Sequence, residues 1–466
     1  MIYLKGRPGR IAYGLGNFGV AIWFHAIAGF LLFFYIEYVH LAPALVSLAF
    51  LISWGIWNAI NDPLAGHISD RTRTRWGRRI PFILFGTPLT ALLFVLIWAP
   101  PIGGVPLIDP HNLWIFFYLV ITLAVFEFLY TLVTVPYISL FPEMFEGLKE
   151  RAEVAIYRQV SAMVALLLAF AGMPLLVDAL TGRFGEIGGW TGAAIIFGIV
   201  AAVAFYISLL GSRERREFSV EKALPFIKSF RLAIANRTFY TFVFAGLMIS
   251  FIWGWLGAMI PFWVVHVLGA GLPDVAILFA TKFIVAMALY PVWRKIGIHF
   301  GSKKTLVVSV ILYAIFLLPI LVIGELWQAM VMMAFLGVAL SGTTLVREIV
   351  LADIVDEDET KGGIRREGIY FGVFGFIDRF AVALIAGATA LVFGLSGYIT
   401  GVDPPYQPPT VALGIRLGMT MLPLVALAVF LFAMKHYPLG REKVVELGKV
   451  IEKLHEEKAE RLRLEK

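Results

Sequence analysis

The chain has no cysteine, which excludes disulfide cross-links and thiolate chemistry. It is short of charge as well. Only 15% of its 466 residues are Asp, Glu, Lys or Arg, against about a quarter in a soluble domain. With 60% hydrophobic residues, it is not a soluble globule of ordinary design. Enzyme signatures are missing too: there is no paired-histidine metal spacing, no Walker-type glycine-rich loop and no nucleophile elbow. Neither an enzyme nor a resident metal or cofactor is expected. Without a nucleotide site, any uphill work must draw on an ion gradient. The opening residues, MIYLKGRPGR, lack the pattern of a cleavable signal, because the first apolar run is long and flows into a second.

What fills the chain is a series of apolar runs of about 20 residues, the length that crosses a bilayer as an α-helix. About twelve are read: Ile11–Tyr38, Pro43–Ile68, Ile80–Pro100, Leu113–Phe141, Val154–Leu180, Gly189–Leu210, Phe239–Val267, Pro273–Trp293, Thr305–Ile323, Leu326–Leu351, Gly368–Leu395 and Val411–Met434. The expected class is an all-α integral membrane protein. The formal net charge of +7 would suit nucleic acid. The basic residues, however, fall between the apolar runs, where the membrane surface accounts for them, so no nucleic-acid partner is expected. One set of connecting segments carries Lys5, Arg7 and Arg10, the Arg71–Arg79 loop, Lys149 and Arg151, Arg213–Arg237, Arg294–Lys304, Lys361–Arg366 and the tail. The alternate set holds only Arg183. That asymmetry places both termini in the cytoplasm, at the cell membrane, and fits an even number of spans.

The long polar stretch Gly211–Arg237 divides the chain near its middle. The expected organisation is an N-terminal six-helix bundle at 1–210, a cytoplasmic central loop at 211–238, a C-terminal six-helix bundle at 239–434 and a cytoplasmic amphipathic tail at 435–466. In the tail Val444, Leu447, Ile451 and Leu454 recur at helical spacing. The halves echo each other. Gly77-Arg78-Arg79 after span two is matched by Gly301-Ser302-Lys303-Lys304 after span eight. Glu143 and Glu146, then Arg151 and Glu153, are matched by Asp353 and Asp356, then Arg365 and Glu367. Two six-span halves in the same order form the parallel repeat of the major facilitator fold.

The stretch 58–79, NAINDPLAGHISDRTRTRWGRR, stands out. Its first half is apolar except for Asn58, Asn61 and Asp62, and its second half is a basic loop with Asp70 at its start. A carboxylate inside an apolar run is costly in a bilayer and is functional by default. Asn58 and Asp62, at i and i+4, share one helix face.

These residues carry a resemblance. Asn58-Ala-Ile-Asn-Asp62-Pro63 with Asp70-Arg-Thr-Arg-Thr-Arg-Trp-Gly-Arg-Arg79, Ala352-Asp353-Ile-Val-Asp356 with Lys361, Arg365 and Glu367, and Tyr13-Gly-Leu-Gly-Asn-Phe-Gly19 are similar to the glycoside–pentoside–hexuronide:cation symporters of the major facilitator superfamily. The resemblance implies two acidic cation ligands one helical turn apart in span two. The second falls on Asp62 and the first on Asn58. A cation-binding threonine of span four falls on Thr131. Two acidic sugar ligands of melibiose permease fall near Ala21 and on Thr134, so both are missing. A span-five arginine falls on Arg158, and a span-eleven lysine falls on Arg379, which keeps the charge. The transport machinery thus matches the family, while the sugar site departs from its galactoside-binding model.

The remaining charged positions have two readings each. Glu127, Thr131 and Thr134 form a polar stripe on span four. Glu127 either supplies the charge that Asn58 lacks or pairs with a base for structure. Lys282, Asp378 and Arg379 lie within spans, where charges pair or face a watery cavity. Cross-helix pairs of Arg158, Lys282 or Arg379 with Asp62, Glu127 or Asp378 are expected, and for Lys282 and Asp378 a purely structural pair is an equal alternative. The loop Asp70, Arg71, Arg75, Arg78 and Arg79 reads as a topology signal and, by the resemblance, as a cytoplasmic gate with Glu143, Glu146, Asp353, Asp356 and Arg365 on the same side. Tyr130, Tyr137, Trp253 and Trp255 could stack on a sugar ring, though packing is the commoner role. His25 reads as an interior histidine.

The resulting expectation is a secondary transporter. It symports a sugar-like small polar solute with Na⁺ or H⁺ by alternating access, surrounded by membrane lipid and working as a monomer. The rivals are a major facilitator that moves amphipathic or lipid-like compounds, and a non-transporting membrane receptor.

Overall fold

The computed structural model describes residues 3–145, 148–214, 226–362 and 367–451. Glu146, Arg365 and Leu454 lie outside these, as do the side chains of Asp62, Asp70, Arg71 and Glu143. The described chain is helical, with only an isolated bridge between Thr74 and Gly77 as extended pairing. Its α-helices are α1 Gly6–Phe33, α2 Pro43–Phe50, α3 Trp57–Arg71, α4 Ile80–Ile97, α5 Leu113–Met144, α6 Leu148–Leu167, α7 Met173–Leu210, α8 Phe226–Ala235, α9 Arg237–His266, α10 Leu272–Phe300, α11 Ser302–Leu317, α12 Leu326–Gly362, α13 Glu367–Asp378, α14 Phe380–Ser396 and α15 Pro409–His436. Residues 441–451 of the tail are helical as well.

Local chemistry explains many boundaries. Asn112 caps α5, its side chain accepting from the Ile115 N–H at 3.1 Å. Pro81 and Pro174 sit in the first turns of α4 and α7, where a missing N–H costs nothing. Within α7, Gly185 takes φ 74°, a left-handed value natural to glycine. It separates the runs read as spans five and six. Of three π-helical segments, Leu51–Ile56 and Leu168–Gly172 join pieces of single spans, and Phe34–Tyr38 ends span one. Between α13 and α14 the helix breaks at Arg379 with no proline, its N–H reaching the Gly375 carbonyl at a long 3.4 Å. The central polar stretch, read as a loop, contains α8, whose Phe230 meets Phe376 of α13 edge-on.

The chain forms two compact units. One comprises Met1–Lys222, Leu256–Ala280 and Val382–Ile415; the other comprises Ala223–Trp255, Thr281–Ala381 and Arg416–Lys466. In the first, α1 packs on α6 and α7, α4 on α5 and α7, and α3 on α5. The glycines of the Tyr13–Gly19 block permit this approach. A Cβ on Gly14 would lie 2.8 Å from Tyr157, one on Gly16 2.3 Å from the Tyr137 ring and one on Gly19 2.7 Å from Phe205. Tyr13 and Tyr137 donate hydroxyls to each other's carbonyl oxygens, both at 2.8 Å, and lock α1 to α5. In the same unit Glu37 accepts from His266 Nε2 and the Tyr398 hydroxyl, each at 2.8 Å, which ties α1's π-helical end to the end of α9 and the turn after α14. In the second unit α11 packs on α12, and Trp293 Nε1 donates to the Val338 carbonyl at 2.7 Å.

Candidate functional site

In the first unit the polar face of span two lies along α5. Three positions spaced by four residues donate to α5. Ser53 Oγ reaches the Val120 carbonyl at 3.2 Å, Trp57 Nε1 reaches Ala124 at 3.0 Å, and Asn61 Nδ2 reaches both the Glu127 carbonyl at 3.1 Å and Thr131 Oγ1 at 2.9 Å. Asn58 is buried and donates to the Trp54 carbonyl at 3.2 Å. The side-chain oxygens of Asn58 and Asn61 are buried without a hydrogen-bond donor, a costly condition that calls for a reason. Amide, hydroxyl and carboxylate oxygens are the ligand chemistry a hard cation takes. Asp62, whose side chain is not described, shares the helix face of Asn58.

The other residues singled out from span one and spans four and five are also in this unit. Glu127, Thr134 and Ala21 are buried. Tyr130 donates to the Val20 carbonyl at 3.2 Å. Arg158 lies over the rings of Tyr137 and Phe141 at 5.7 and 4.9 Å, while its carbonyl accepts from Asn17 at 3.1 Å. Tyr137 is therefore committed to packing. His25 packs against Phe24 and Phe170.

At the basic loop, Arg75 stacks on its neighbour Trp76 at 4.1 Å, and the Arg79 guanidinium donates to the Ser139 carbonyl. Among the described residues, Glu214 supplies an acidic partner to the backbone of this loop. Its carboxylate accepts the backbone N–H groups of Arg78 at 2.6 Å, of Arg79, and of Ile80 at 2.7 Å, satisfying the N-terminus of α4. Gly77 makes room, since a Cβ there would lie 2.5 Å from Glu214 Oε2. Arg10 holds Glu150 at 2.8 Å and Glu153 at 2.6 Å.

In the second unit, Asp378 pairs across helices with Arg347 of α12 at 2.5 Å, and Ser250 of α9 donates to the same carboxylate oxygen at 2.5 Å. The expected partners Arg158, Lys282 and Arg379 do not include this arginine. Lys282 is buried, its Nζ 4.8 Å over the Phe283 ring, and Arg379 is half-buried at the break. Trp253 faces the Arg347 guanidinium at 5.7 Å, whereas Trp255 is buried and donates to the Gly418 carbonyl. Asp353 accepts from Ser302 at 2.6 Å, and Asp356 is half-buried.

A family model described as MFS/sugar transport protein matches residues 12–441. The chain belongs to the MFS/sugar transport family. It is 23% identical over 97% of its length to the isoprimeverose transporter of Lactiplantibacillus pentosus, covering 92% of that protein. It is 25% identical over 96% of its length to the mouse sodium-dependent lysophosphatidylcholine symporter 1, covering 89% of that one. Its fold matches a bacterial homolog of the human lysosomal transporter Spinster, solved inward-facing and unoccupied, with TM-score 0.68, 16% identity and coverage of 93% of this chain and 98% of that one. This protein is therefore a multi-pass membrane transporter of the major facilitator fold, with about twelve spans, and not an enzyme.

For this transporter, sequence reasoning missed Asn61, Arg347, Ser250 and Glu214 as site residues. Asn61 carried a signal, since it is a third amide or acid within one turn of an apolar run. Arg347 is an arginine one turn inside the end of span ten and could have been weighed with Lys282. Ser250 and Glu214 offered no local signal.

Proposed function

We propose that this chain is a symporter that carries a sugar- or glycoside-like solute together with a cation through the cell membrane, both termini being cytoplasmic. The observation that carries the reading is the buried cluster of Asn58, Asn61 and Thr131 oxygens on the face and flank of Asp62. Such a set costs stability in an apolar span unless a cation binds there. Na⁺ is favoured over H⁺ because the donors are all oxygens and two are amides, which hold a metal ion but do not titrate. Two six-helix halves, joined by 211–238, rock about a central site. Arg158 and Thr134 are candidate solute contacts in the first half and Lys282 and Arg379 in the second, and the Asp70–Arg79 loop with its acidic neighbours gates the cytoplasmic side. The monomer is the working unit.

The test is uptake into proteoliposomes of labelled neutral glycosides under an imposed Na⁺ or pH gradient, one at a time. Accumulation driven by one gradient supports the reading, and binding without flux would replace it with a receptor. A second reading, an amphipathic lysolipid as cargo, draws on the mouse relative. Thermal stabilisation by lysophosphatidylcholine and by no glycoside would favour it.

A further inference from the structure

We propose that Arg347 and Asp378, set by Ser250 and Trp253, form a recognition element for a neutral polyhydroxyl ring and select it over an acidic sugar. The proposal rests on the carbohydrate reading above and narrows it. Asp378 Oδ1 takes both available protein donors, Arg347 Nη2 and Ser250 Oγ. Among the described residues Oδ2 has no donor, and the Asp378 side chain is 29% exposed. On the other partner, Arg347 is 8% exposed; among the described residues Nη2 meets an acceptor and Nη1 meets none, while Nε is fully buried and out of a solute's reach. The guanidinium lies over two aromatic rings, Phe374 at 4.7 Å and Trp253 at 5.7 Å.

This arrangement presents N–H donors beside a carboxylate acceptor. A hydroxyl is the group that uses both, since it accepts from the guanidinium and donates to the carboxylate. Adjacent ring hydroxyls can engage the two partners together. A uronate carboxylate can only accept, so it would meet Asp378 as a like charge in a poorly solvated place. The half-buried Trp253 offers an apolar flank to the C–H face of a ring. The site also falls at the break between α13 and α14, and discontinuous spans are where transporters of this kind build solute sites. A pair serving only to clamp helices would have no need of an open carboxylate oxygen or of unpartnered guanidinium N–H groups.

The test uses the purified full-length transporter, with binding followed by calorimetry and thermal shift. The probes are methyl xylopyranoside, methyl glucopyranoside and methyl glucopyranosiduronate, with lysophosphatidylcholine alongside. Wild type should bind one of the neutral glycosides at least tenfold more tightly than the uronide. Asp378→Asn keeps the shape and removes the negative charge, so it should shift the neutral-to-acid ratio at least tenfold toward the uronide. The double variant Arg347→Met with Asp378→Leu leaves no lone buried charge and should fold, but lose neutral-glycoside binding at least tenfold. A preference of wild type for the uronide, an unchanged ratio in Asp378→Asn, or binding within twofold of wild type by the folded double variant would each overturn the proposal while leaving the carbohydrate reading intact. Binding of lysophosphatidylcholine and of no glycoside would remove both.

Discussion

Replacing Glu37 with Gln probes the contact that closes the side of the first unit away from the arginine loop. One carboxylate oxygen takes two donors there, from His266 and Tyr398. Burial first, and the Glu37 charge second, hold the Tyr398 hydroxyl well above the usual tyrosine range, so it stays protonated and donates. The Glu37 side chain is 12% exposed and that of His266 is 1% exposed, so solvent replaces these bonds poorly. A hydrogen bond to a charged group contributes about 1.5–3 kcal/mol. Gln keeps the shape and one acceptor but loses the charge, so a net loss of about 1–2 kcal/mol is expected. If alternating access must part these helix ends, the loss favours the state open on this side by about 5- to 30-fold. The chain has no native cysteine, so a single reporter can be placed at Ala258, which is 1% exposed on α9, about 12 Å below His266 along the helix. Its labelling by an impermeant thiol reagent, added from outside to oriented vesicles, should speed up by about the same factor. An unchanged rate in folded Glu37→Gln would show that the cluster is static packing and does not open in the cycle.

Asp62→Asn should abolish gradient-driven accumulation while sparing solute exchange, because both Na⁺ and H⁺ schemes require Asp62 to change its charge state; full accumulation would move the role to Glu127. Glu214→Ala strips three backbone N–H groups of their acceptor. With partial replacement by water it should lower stability by about 2 kcal/mol, read as a melting-temperature drop of a few degrees; no drop would mean that the loop caps α4 by itself. Gly16→Leu should prevent α1 from seating on Tyr137 and abolish folded protein on size exclusion, whereas the exposed Gly103→Ala should cost at most about 1 kcal/mol for its positive φ of 67°. Arg78→Ala should shift the transporter toward its inward-open state, seen as altered distances between spin labels on the cytoplasmic face; unchanged distances would leave the loop as a topology signal alone.

The residues that span the membrane were legible in the sequence, because apolarity over about 20 residues is a local property that no neighbour can alter. The shared face of Asn58 and Asp62 follows from helical period alone, and the turn at Gly185 interrupts the chain between two runs already read as separate spans. Periodicity fixes which side chains share a face but not what that face meets. Only packing could choose Arg347 for Asp378, 31 residues away, or bring Glu214 to the start of α4 across 134–136 residues. Only packing could join Glu37 to His266 and Tyr398 across 229 and 361 residues. One π-helical segment, Leu168–Gly172, had a signal in Pro174 just after it, which cannot donate back to the Phe170 carbonyl. The break at Arg379 and the segments Phe34–Tyr38 and Leu51–Ile56 were hidden, with no proline where the geometry changes. They arise where neighbouring helices offer contacts worth more than a regular hydrogen-bond ladder. Sequence supplied the helices and the charges within them, and the rotation of each helix against its neighbours decided which charges meet.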